Sequence, residues 1–302
     1  MIIAPESEEF SKLKKACQIA AKALEYAKSL VKPGKRVVDV CDAVEEFIIK
    51  EGCEIAFPVQ ISLNDVAAHF CPLEDDDLEF DDRVVKIDIG VHVDGYIGDN
   101  AATIDLSKEN NELVKATVEA LKEAIKLARP GVKVCELGRA IHDVIVKHGF
   151  SPVINLTGHG LDEYNIHSKP IIPNYDNGDE TKLEENQLIA IEPFASTGAG
   201  IVYESSPPTI FALKQKKPVR LSFVRNILRE IEKRKGLPFT TRWLTKKFPK
   251  HQVNFALAQL LKEKIIESFP PLVDKEHGLV SQAEHTILVK DKPIILTLPE
   301  EC

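Results

Sequence analysis

Hydrophobic residues recur at helical spacing in two stretches of the chain that resemble each other. Residues 33–52 and 130–149 align without a gap at an offset of 97 residues. In both copies, apolar residues at positions i, i+4 and i+8 predict the buried face of a helix. A Pro-Gly pair precedes each stripe and a glycine follows it, as at a helix C-terminus. The pattern predicts an internal duplication in which each half contains a helix, a Pro-Gly turn, a second helix and then strands.

Two β-rich runs that each end in a carboxylate extend this duplication. Val84–Asp88 resembles Leu188–Glu192 in its apolar pattern and in its final acid. A hairpin turning around residues 92–95 would place the first carboxylate opposite a second one, Asp99. Late in the chain, Glu284 heads a strand-like run that resembles the run beginning at Asp99. The two halves are therefore predicted to place four carboxylates in pseudo-equivalent positions.

Residues 209–272 have no counterpart in the first half. Ser222 is predicted to cap a helix that carries an apolar stripe at helical spacing, and a second helix is predicted near 252–267. The two apolar stripes consist of Phe223, Val224, Ile227, Leu228 and Ile231, and of Phe255, Leu257, Leu260, Leu261 and Ile265. We expect a small helical insertion whose basic residues face water, within a catalytic domain formed by 1–208 plus 273–302.

The composition is that of an ordinary globular protein, with 44% hydrophobic and 28% charged residues. No apolar run approaches the roughly 18 residues that a membrane span needs. The first residues turn acidic at once, so no signal peptide is predicted. Six cysteines are scattered without a CxxC pair, which is typical of a reducing cytosol and does not indicate a zinc ribbon.

The charge is distributed unevenly along the chain. Residues 211–250 contain 13 Lys and Arg residues but only Glu230 and Glu232 as acids, so this segment carries +11 within a chain of net charge −8. A basic segment of this kind is a candidate contact for ribosomal RNA, and the alternative is a solvated helical face. The remainder of the chain carries −19, and bound divalent cations would cancel part of that charge.

The four carboxylates point to metal chemistry. Aspartate is depleted in strands, and a buried charge is costly. Facing carboxylates repel each other, and a shared proton or a metal ion offsets the repulsion. Four carboxylates with one imidazole suit Mn²⁺, Fe²⁺, Co²⁺ or Zn²⁺ and are enough to bridge two ions. Each acid taken alone could instead be a solvated hairpin residue, which is the favoured interpretation of Asp94.

Three of the nine histidines are candidates for the site. His159 lies in a Leu-Thr-Gly-His-Gly run, where the glycines leave room for a ligand, and His69 and His167 are the other two. His285 follows Glu284 directly and should point to the opposite side of its strand. The others are interpreted as helix-surface residues (His142, His148) or as loop and insertion surface (His92, His251, His277).

Four motifs together resemble the type II methionine aminopeptidases, in particular their archaeal members. They are KIDIGVHVDGYIGDNAATI, NLTGHG followed by IHSKPIIPN, AIEPFASTGAG, and SQAEHTILV. The resemblance covers almost the whole chain, including GLPFTTRWL in the insertion. It implies an α+β fold of the pseudo-twofold pita-bread type with a small helical, winged-helix-like insertion, in a cytoplasmic monomer. Asn100 and Ala283 depart from the family pattern beside two of the candidate ligands.

The resemblance also implies a function and a set of site residues. The activity would be removal of the initiator methionine from nascent proteins whose second residue is small, by a hydroxide that bridges two metal ions (Co, Mn, Fe or Zn) and attacks the scissile carbonyl. The implied metal ligands are Asp88, Asp99, His159, Glu192 and Glu284, with Asp99 and Glu284 bridging the ions. Glu192 would shuttle protons, His69 and His167 would contact the substrate, and the methionine pocket would comprise Phe57, Ile166, Phe194 and Phe269.

Two other functions remain open at this point. Aminopeptidase P and prolidase share the fold, but they carry extra histidine motifs and a large N-terminal domain that this chain lacks. A non-enzymatic binding protein on the same scaffold would have lost metal ligands, whereas all five are present. The implied partners are N-terminal methionyl peptides and nascent chains, with neither membrane nor DNA, and the basic insertion is a candidate ribosome contact.

Overall fold

Two helices and four strands form the first half of the chain in the computed structural model, which describes residues 1–298. They are α1 (Glu8–Leu30), α2 (Val37–Lys50), β1 (Glu54–Leu63), β2 (Val66–Ala68), β3 (Val84–Val93) and β4 (Tyr96–Asp105). Helix α2 forms where the first apolar stripe predicts it, and Val40, Val44 and Ile48 are fully buried. Gly52 follows the helix with φ +70°, the left-handed conformation that ends many helices.

The second half repeats the helix pair and continues into short strands. Its elements are α3 (Asn111–Leu127), α4 (Val134–Lys147), β5 (Ser151–Pro152), β6 (Thr157–Asp162), β7 (Asn165–Pro173), β8 (Leu188–Ile191), β9 (Phe194–Ser196) and β10 (Val202–Glu204). Leu137, Ile141 and Ile145 are buried along α4, as the repeated stripe predicts. Gly149 takes the same positive φ after the helix as Gly52 does in the first half.

The end of the chain returns to the central sheet. Its strands are β14 (Leu272–Asp274), β15 (Val280–Gln282), β16 (Glu284–Leu288) and β17 (Ile294–Ile295). The sheet order is β1-β3-β4-β16-β8-β6-β7, with β17 also paired to β16. Strands β4 and β16 meet at the centre, and outward from them β3 and β1 on one side match β8 and β6 on the other. This arrangement confirms the predicted pseudo-twofold fold.

Alternation along the central strands separates a helix-covered face from a face that carries the acids. Ile87 and Ile89 of β3 belong to the core under α1 and α2, whereas Asp88 between them points the other way. Ile189 and Ile191 of β8 belong in the same manner to the core under α3 and α4. None of the helices formed by the described residues is long and apolar enough to cross a membrane.

The predicted insertion contains strands as well as helices. Its elements are β11 (Ile210–Leu213), α5 (Ser222–Glu232), β12 (Phe239–Thr240), α6 (Thr241–Thr245), α7 (Lys250–Lys262) and β13 (Ile266–Phe269). Strand β11 pairs with both β12 and β13, and the helices enclose a core of their own that includes Val224, Ile227 and Leu260. The hydrophobic stripes indicated the helices but not this sheet.

Three details of the predicted insertion are wrong. Helix α5 begins at Ser222 with Leu221 before it, and no side chain caps its N-terminus. The second helix ends at Lys262 because Lys264 takes a left-handed φ of +55° and the chain then enters β13. Phe255, which was placed in the apolar stripe, is 52% exposed.

Candidate active site

A tight hairpin positions the two carboxylates of the first half. Asp94 and Gly95 both take positive φ between β3 and β4, as a two-residue hairpin turn requires. The register pairs Asp88 with Ala101 and Asp99 with Gly90. The two acids are therefore diagonal neighbours on one face and not directly opposite, so that detail of the prediction is wrong. Asp88 is paired with Ala101, which lies two residues after Asp99, so side-chain alternation puts both acids on the same face of the sheet.

The second half brings two further carboxylates and an imidazole to the same place. Glu192 directly follows β8, and Glu284 begins β16 opposite Ala101. Nε2 of His159 lies 3.4 Å from Oε1 of Glu192 and 3.9 Å from Oδ2 of Asp99. His159, Asp99 and Glu284 are at most 6% exposed, so water does little to screen the charges of the cluster.

Burial and mutual repulsion act together on these acids. Burial raises the pKa of Asp88 to about 7. Burial and the neighbouring carboxylates raise the pKa values of Asp99, Glu192 and Glu284 well above the ordinary range. Burial also lowers the pKa of His159 to about 3, with a smaller contribution from His167. A neutral imidazole beside clustered carboxyl groups is a set of donor atoms suited to a cation.

The oxygen atoms of the cluster fit a divalent metal. Oδ1 of Asp88, Oδ1 of Asp99 and Oε1 of Glu284 are buried without a hydrogen-bond partner among residues 1–298. Asp99, His159 and Glu284 each offer one ligand atom, and these three atoms lie within 4.8 Å of one another. Buried oxygens without donors are costly unless an ion satisfies them. The donor set of oxygens with one nitrogen is typical of first-row divalent ions.

The cluster lies at the floor of a cavity of about 450 Å³. All eleven residues that the resemblance implied line this cavity: Phe57, His69, Asp88, Asp99, His159, Ile166, His167, Glu192, Phe194, Phe269 and Glu284. Its walls therefore combine an apolar side with carboxylates and imidazoles. This is the composition expected of a site that holds an apolar side chain beside a reacting polar bond.

Two further histidines flank the cluster. The rings of His167 and His159 meet edge to face with centroids 4.8 Å apart. His69 has φ +66°, and its backbone N–H donates to Oε1 of Gln60 at 2.7 Å, which fixes this uncommon conformation. Burial lowers the pKa of His69 to about 4 and also lowers that of His167. Both imidazoles are therefore neutral near pH 7 and can each donate or accept one hydrogen bond.

Two supporting residues escaped the sequence reasoning. Nε2 of Gln282 donates to Oε2 of Glu192 at 3.3 Å and to Oδ2 of Asp88 at 3.5 Å. Thr286 Oγ1 accepts from the backbone N–H of Asp99 at 2.8 Å and donates to its carbonyl at 2.7 Å. Gln282 and Thr286 each lie two residues from Glu284 along the chain. Alternation along a strand places such residues on the same face as Glu284, and this is the signal that could have identified them.

The insertion supplies part of the cavity wall, of which the resemblance implied only Phe269. Ile210 and Pro238 line the cavity together with Phe269 of β13. Pro238 lies within the GLPFTTRWL motif, but no role was assigned to it, and Ile210 lies outside the quoted motifs. The exposed side chain of Ile171 also lines the cavity.

Several other predictions need correction. His92 was interpreted as surface, but it is 2% exposed, and its Nδ1 accepts from the N–H of Gly95. Arg242 of the insertion is fully buried, and Arg234 is partly buried, so these basic residues do not face water. The five described cysteines are free and buried, in agreement with their scattered spacing. The sixth, Cys302, lies outside the described residues.

Comparison with known proteins places this site in a family. A model of metallopeptidase family M24 matches residues 11–290. A protein named methionine aminopeptidase from Archaeoglobus fulgidus is 43% identical over 294 residues, which cover 97% of this chain and 99% of that relative. A methionine aminopeptidase structure from Rickettsia prowazekii superposes with a TM-score of 0.71 at 24% identity over 99% of this chain and all of that one. A structure titled as a thermophilic Arx1 reaches 0.87 at 18% identity over 99% and 93% of the two chains; these likenesses below 25% identity concern the fold alone.

Proposed function

Since this chain belongs to metallopeptidase family M24 and, within it, to the methionine aminopeptidases, we propose that its carboxylate cavity removes the N-terminal methionine of proteins whose second residue is small. The protein is an aminopeptidase and a hydrolase that uses a divalent metal. The observation that carries the finer proposal is the buried cluster of unpartnered carboxylate oxygens beside an apolar wall.

Two divalent ions are proposed for the cluster. The residues that would hold them are Asp88, Asp99, His159, Glu192 and Glu284. Bound divalent ions supply Lewis-acid chemistry, since they polarise a carbonyl and lower the pKa of water towards neutrality. Four carboxylates would neutralise the charge of two divalent ions, which supports two ions over one. Mn²⁺, Fe²⁺, Co²⁺ and Zn²⁺ all suit this donor set.

The protein groups around the cluster have separate proposed tasks. Glu192 accepts a proton from the attacking water and delivers it to the leaving amide nitrogen as the C–N bond breaks. His167 donates a hydrogen bond to the oxygen of the tetrahedral intermediate, a task for which a neutral N–H suffices. His69 holds the substrate amide from the other wall. The contact between the His159 and His167 rings supports this placement.

An apolar wall receives the methionine side chain in this proposal. Phe57, Ile166, Phe194 and Phe269 all line the cavity, and Phe57, Ile166 and Phe194 are buried. The Phe57 ring packs so closely on Gly90 that a Cβ at that position would lie 2.2 Å from it. This fixed ring leaves a slot for an unbranched apolar side chain.

The second substrate residue must be small because imidazoles enclose its position. His69 and His167 both line the cavity, and Phe269 lies edge-on to His69 with ring centroids 5.7 Å apart. A large side chain at that position would displace one of these rings. Met-Ala-Ser should therefore be cleaved, and Met-Leu-Ser should be a poor substrate.

The direct experiment follows the release of free methionine from Met-Ala-Ser. The metal-stripped protein should be inactive and should recover activity with Mn²⁺, Fe²⁺, Co²⁺ or Zn²⁺. Asp99→Asn should stay inactive with every metal, whereas Asp94→Asn should behave as wild type, because Asp94 is an exposed turn residue. A folded wild-type protein that releases no methionine with any of the four metals would overturn the proposal in favour of a binding protein.

Ribosome contact is a second proposal. We assign it to the cations of the basic segment 211–250 that have no partner among residues 1–298. Lys233 and Lys247 pair with Glu230, and Lys246 pairs with Asp42. In contrast, three exposed cations of the basic segment 211–250 form neither an ion pair nor a side-chain hydrogen bond with any described residue: Lys216, Arg220 and Arg229. These unpaired cations are the proposed contact for RNA phosphates near the nascent chain.

Matched triple variants test this contact. Changing Lys216, Arg220 and Arg229 to Gln should weaken ribosome co-sedimentation and lower its salt dependence, since fewer phosphate contacts remain. Changing Lys233, Lys246 and Lys247 to Gln removes the same formal charge from paired positions and should have a smaller effect. Equal pelleting of both variants and the wild type would exclude these surfaces as the contact.

A further inference from the structure

A second cleft of about 450 Å³ lies behind the wall of the proposed methionine pocket. It runs between α2, the start of β1 and the insertion, and its lining includes Glu45, Ile55, Arg234 and Trp243. None of these residues lines the catalytic cavity. Their neighbours in the sequence, Phe57 and Pro238, do line that cavity, so the two spaces share a wall.

Arg234 ties the two sides of this wall together. Its Nη2 donates to the carbonyl oxygens of Ile55 at 2.5 Å and Ala56 at 3.2 Å on one side. On the other side it donates to the carbonyl of Pro238 at 3.2 Å. Strand β1 has register shifts on both sides of Phe57, and such a bulge leaves backbone groups outside the ladder. One guanidinium thus links the strand of Phe57 to the loop of Pro238.

A fixed aromatic ring and a buried carboxylate hold Arg234 in place. The guanidinium carbon lies 4.9 Å from the centroid of the Trp243 ring, a cation–π contact. Trp243 Nε1 donates to Oε2 of Glu45 at 2.7 Å. Glu45 also binds Arg242 through both of its oxygens and accepts from the N–H of Val59 in β1 at 3.3 Å. The position of Arg234 is therefore set by β1 and α2 as well as by the insertion.

Burial of the Arg234 side chain costs more free energy than a purely structural link between these segments would require. Its Nε is buried without a hydrogen-bond partner among the described residues. Burial lowers the pKa of its guanidinium to about 10. A buried donor without an acceptor costs free energy, and an apolar side chain could fill the same wall without that cost. A specific geometric task would explain why a guanidinium lies here.

We infer that Arg234 is a positioning residue that sets the width of the methionine pocket. Its bonds to Ile55, Ala56 and Pro238 hold the Phe57 side of the pocket at a fixed distance from the insertion side. Arg234 thereby determines discrimination against side chains wider than methionine. This inference rests on the proposed function, because it takes the cavity to be the methionine pocket.

Substrate discrimination is the decisive measurement. Arg234→Gln should lower the ratio of kcat/KM for Met-Ala-Ser to that for Leu-Ala-Ser by about tenfold, within the range that shape differences confer in apolar pockets. KM for Met-Ala-Ser should rise while kcat changes little. Arg234→Lys keeps one donor and should give an intermediate ratio. A merely structural defect lowers the amount of active enzyme, but it leaves the ratio unchanged.

The control variant is Arg225→Gln. Arg225 also donates to two backbone carbonyls, those of Val219 and Arg220, but both lie within the insertion and far from the pocket in sequence. The Arg225 variant should keep the wild-type ratio. Loss of discrimination in both variants would assign the effect to the insertion as a whole and would overturn the specific role of Arg234.

Fluorescence gives a readout that does not depend on turnover. Trp243 is the single tryptophan of the chain, and it lies against Arg234. Titration with free methionine should change its emission in wild type and in Arg225→Gln. In Arg234→Gln the methionine concentration for half the change should rise about tenfold, matching the loss of discrimination.

The outcomes separate the two proposals. A wild-type protein that releases no methionine with any metal contradicts the proposed function itself. An active wild type with an Arg234→Gln ratio unchanged within about twofold contradicts only the role of Arg234. If Arg234→Gln does not fold, Trp243→Phe is the alternative variant. It removes the hydrogen bond from the Trp243 N–H to Glu45, which helps to hold Arg234, and it should lower the same Met-to-Leu ratio. An unchanged ratio in Trp243→Phe would overturn the inference.

Discussion

Two clusters of carboxylates among residues 1–298 are largely removed from water, and they differ in whether a cation of the chain accompanies them. In the cavity cluster, which consists of Asp88, Asp99, Glu192 and Glu284, no Lys or Arg of the described residues forms an ion pair with the acids. In the Arg242 cluster, Asp42 and Glu45 both bind the fully buried Arg242, and Lys246 adds a second cation at the rim.

This difference separates a structural cluster from one that needs a ligand. In the Arg242 cluster the Glu45 oxygens accept hydrogen bonds from Arg242 and Trp243, so this carboxylate is balanced within the chain, and removal of Arg242 would leave its charge uncompensated. The cavity cluster instead shows raised carboxyl pKa values and oxygens without donors. A divalent cation bound from outside the chain would satisfy these oxygens. The predictions below test this contrast, beginning with the largest expected effect.

Asp99→Asn should abolish activity. The substitution removes one ligand from the centre of the cluster, and residues that act as a catalytic unit typically cost about 10⁴-fold or more when one is lost. Release of methionine from Met-Ala-Ser at saturating metal measures the effect. In the metal-free state the same variant should unfold at a higher temperature than wild type, because one repelling buried charge is gone. A less stable metal-free variant would contradict the contrast between the clusters.

Arg242→Met should have the opposite effect on stability. It leaves Glu45 buried without its main partner, and breaking a buried pair in this way costs about 3–5 kcal/mol. Urea unfolding with and without the substitution gives the change in the free energy of unfolding. Adding Glu45→Leu to Arg242→Met should recover part of the loss, since both charges are then absent. Full additivity of the two losses would show that the residues do not act as a pair.

Divalent metal should stabilise the wild-type protein more than Asp99→Asn. A ligand that binds only the folded state at about 100 times its Kd adds about 2.7 kcal/mol. Thermal unfolding across a series of Mn²⁺ or Co²⁺ concentrations measures this linkage. Arg242→Met should gain as much as wild type, because its cavity cluster is intact. Equal gains in all three proteins would place the bound metal elsewhere.

Lys246→Gln should have the smallest effect. Lys246 binds Asp42 at 2.9 Å, but its side chain is 42% exposed, and exposed pairs contribute about 0–1 kcal/mol. Urea unfolding at low and high salt should show a small loss that salt reduces further. A loss as large as that of Arg242→Met would mean that the rim cation, and not the buried one, balances the cluster.

The duplication made most of the fold predictable. Two aligned stripes of apolar residues indicated α2 and α4, and the Asp94-Gly95 turn indicated the β3–β4 hairpin, because both signals depend on neighbours within a few residues. The register across that hairpin follows from the same signal, because a two-residue turn at Asp94-Gly95 pairs Asp88 with Ala101. Asp88 and Asp99 share a face because of side-chain alternation, but the turn length decided that they lie diagonally and not opposite.

Helix ends and burial were harder to predict where they depend on contacts between residues far apart in the sequence. The helix predicted near 252–267 ends early because Ile266–Phe269 pairs with β11, a contact with residues more than fifty positions away. His92 is buried because Tyr164, from a distant hairpin, packs against it with ring centroids 5.6 Å apart. Neither contact produces a local sequence pattern, so residue spacing predicted a longer helix and a surface position for His92.

By itself, the sequence determined the two halves, the acids at their pseudo-equivalent positions and the separate insertion, because periodicity and repeated motifs are local properties of the chain. Only the tertiary structure decided that Arg234 and Arg242 turn inward, that Ile210 and Pro238 close the cavity, and that Gln282 bridges Asp88 and Glu192. These contacts join residues far apart in the chain, and their energies depend on which groups the fold removes from water together.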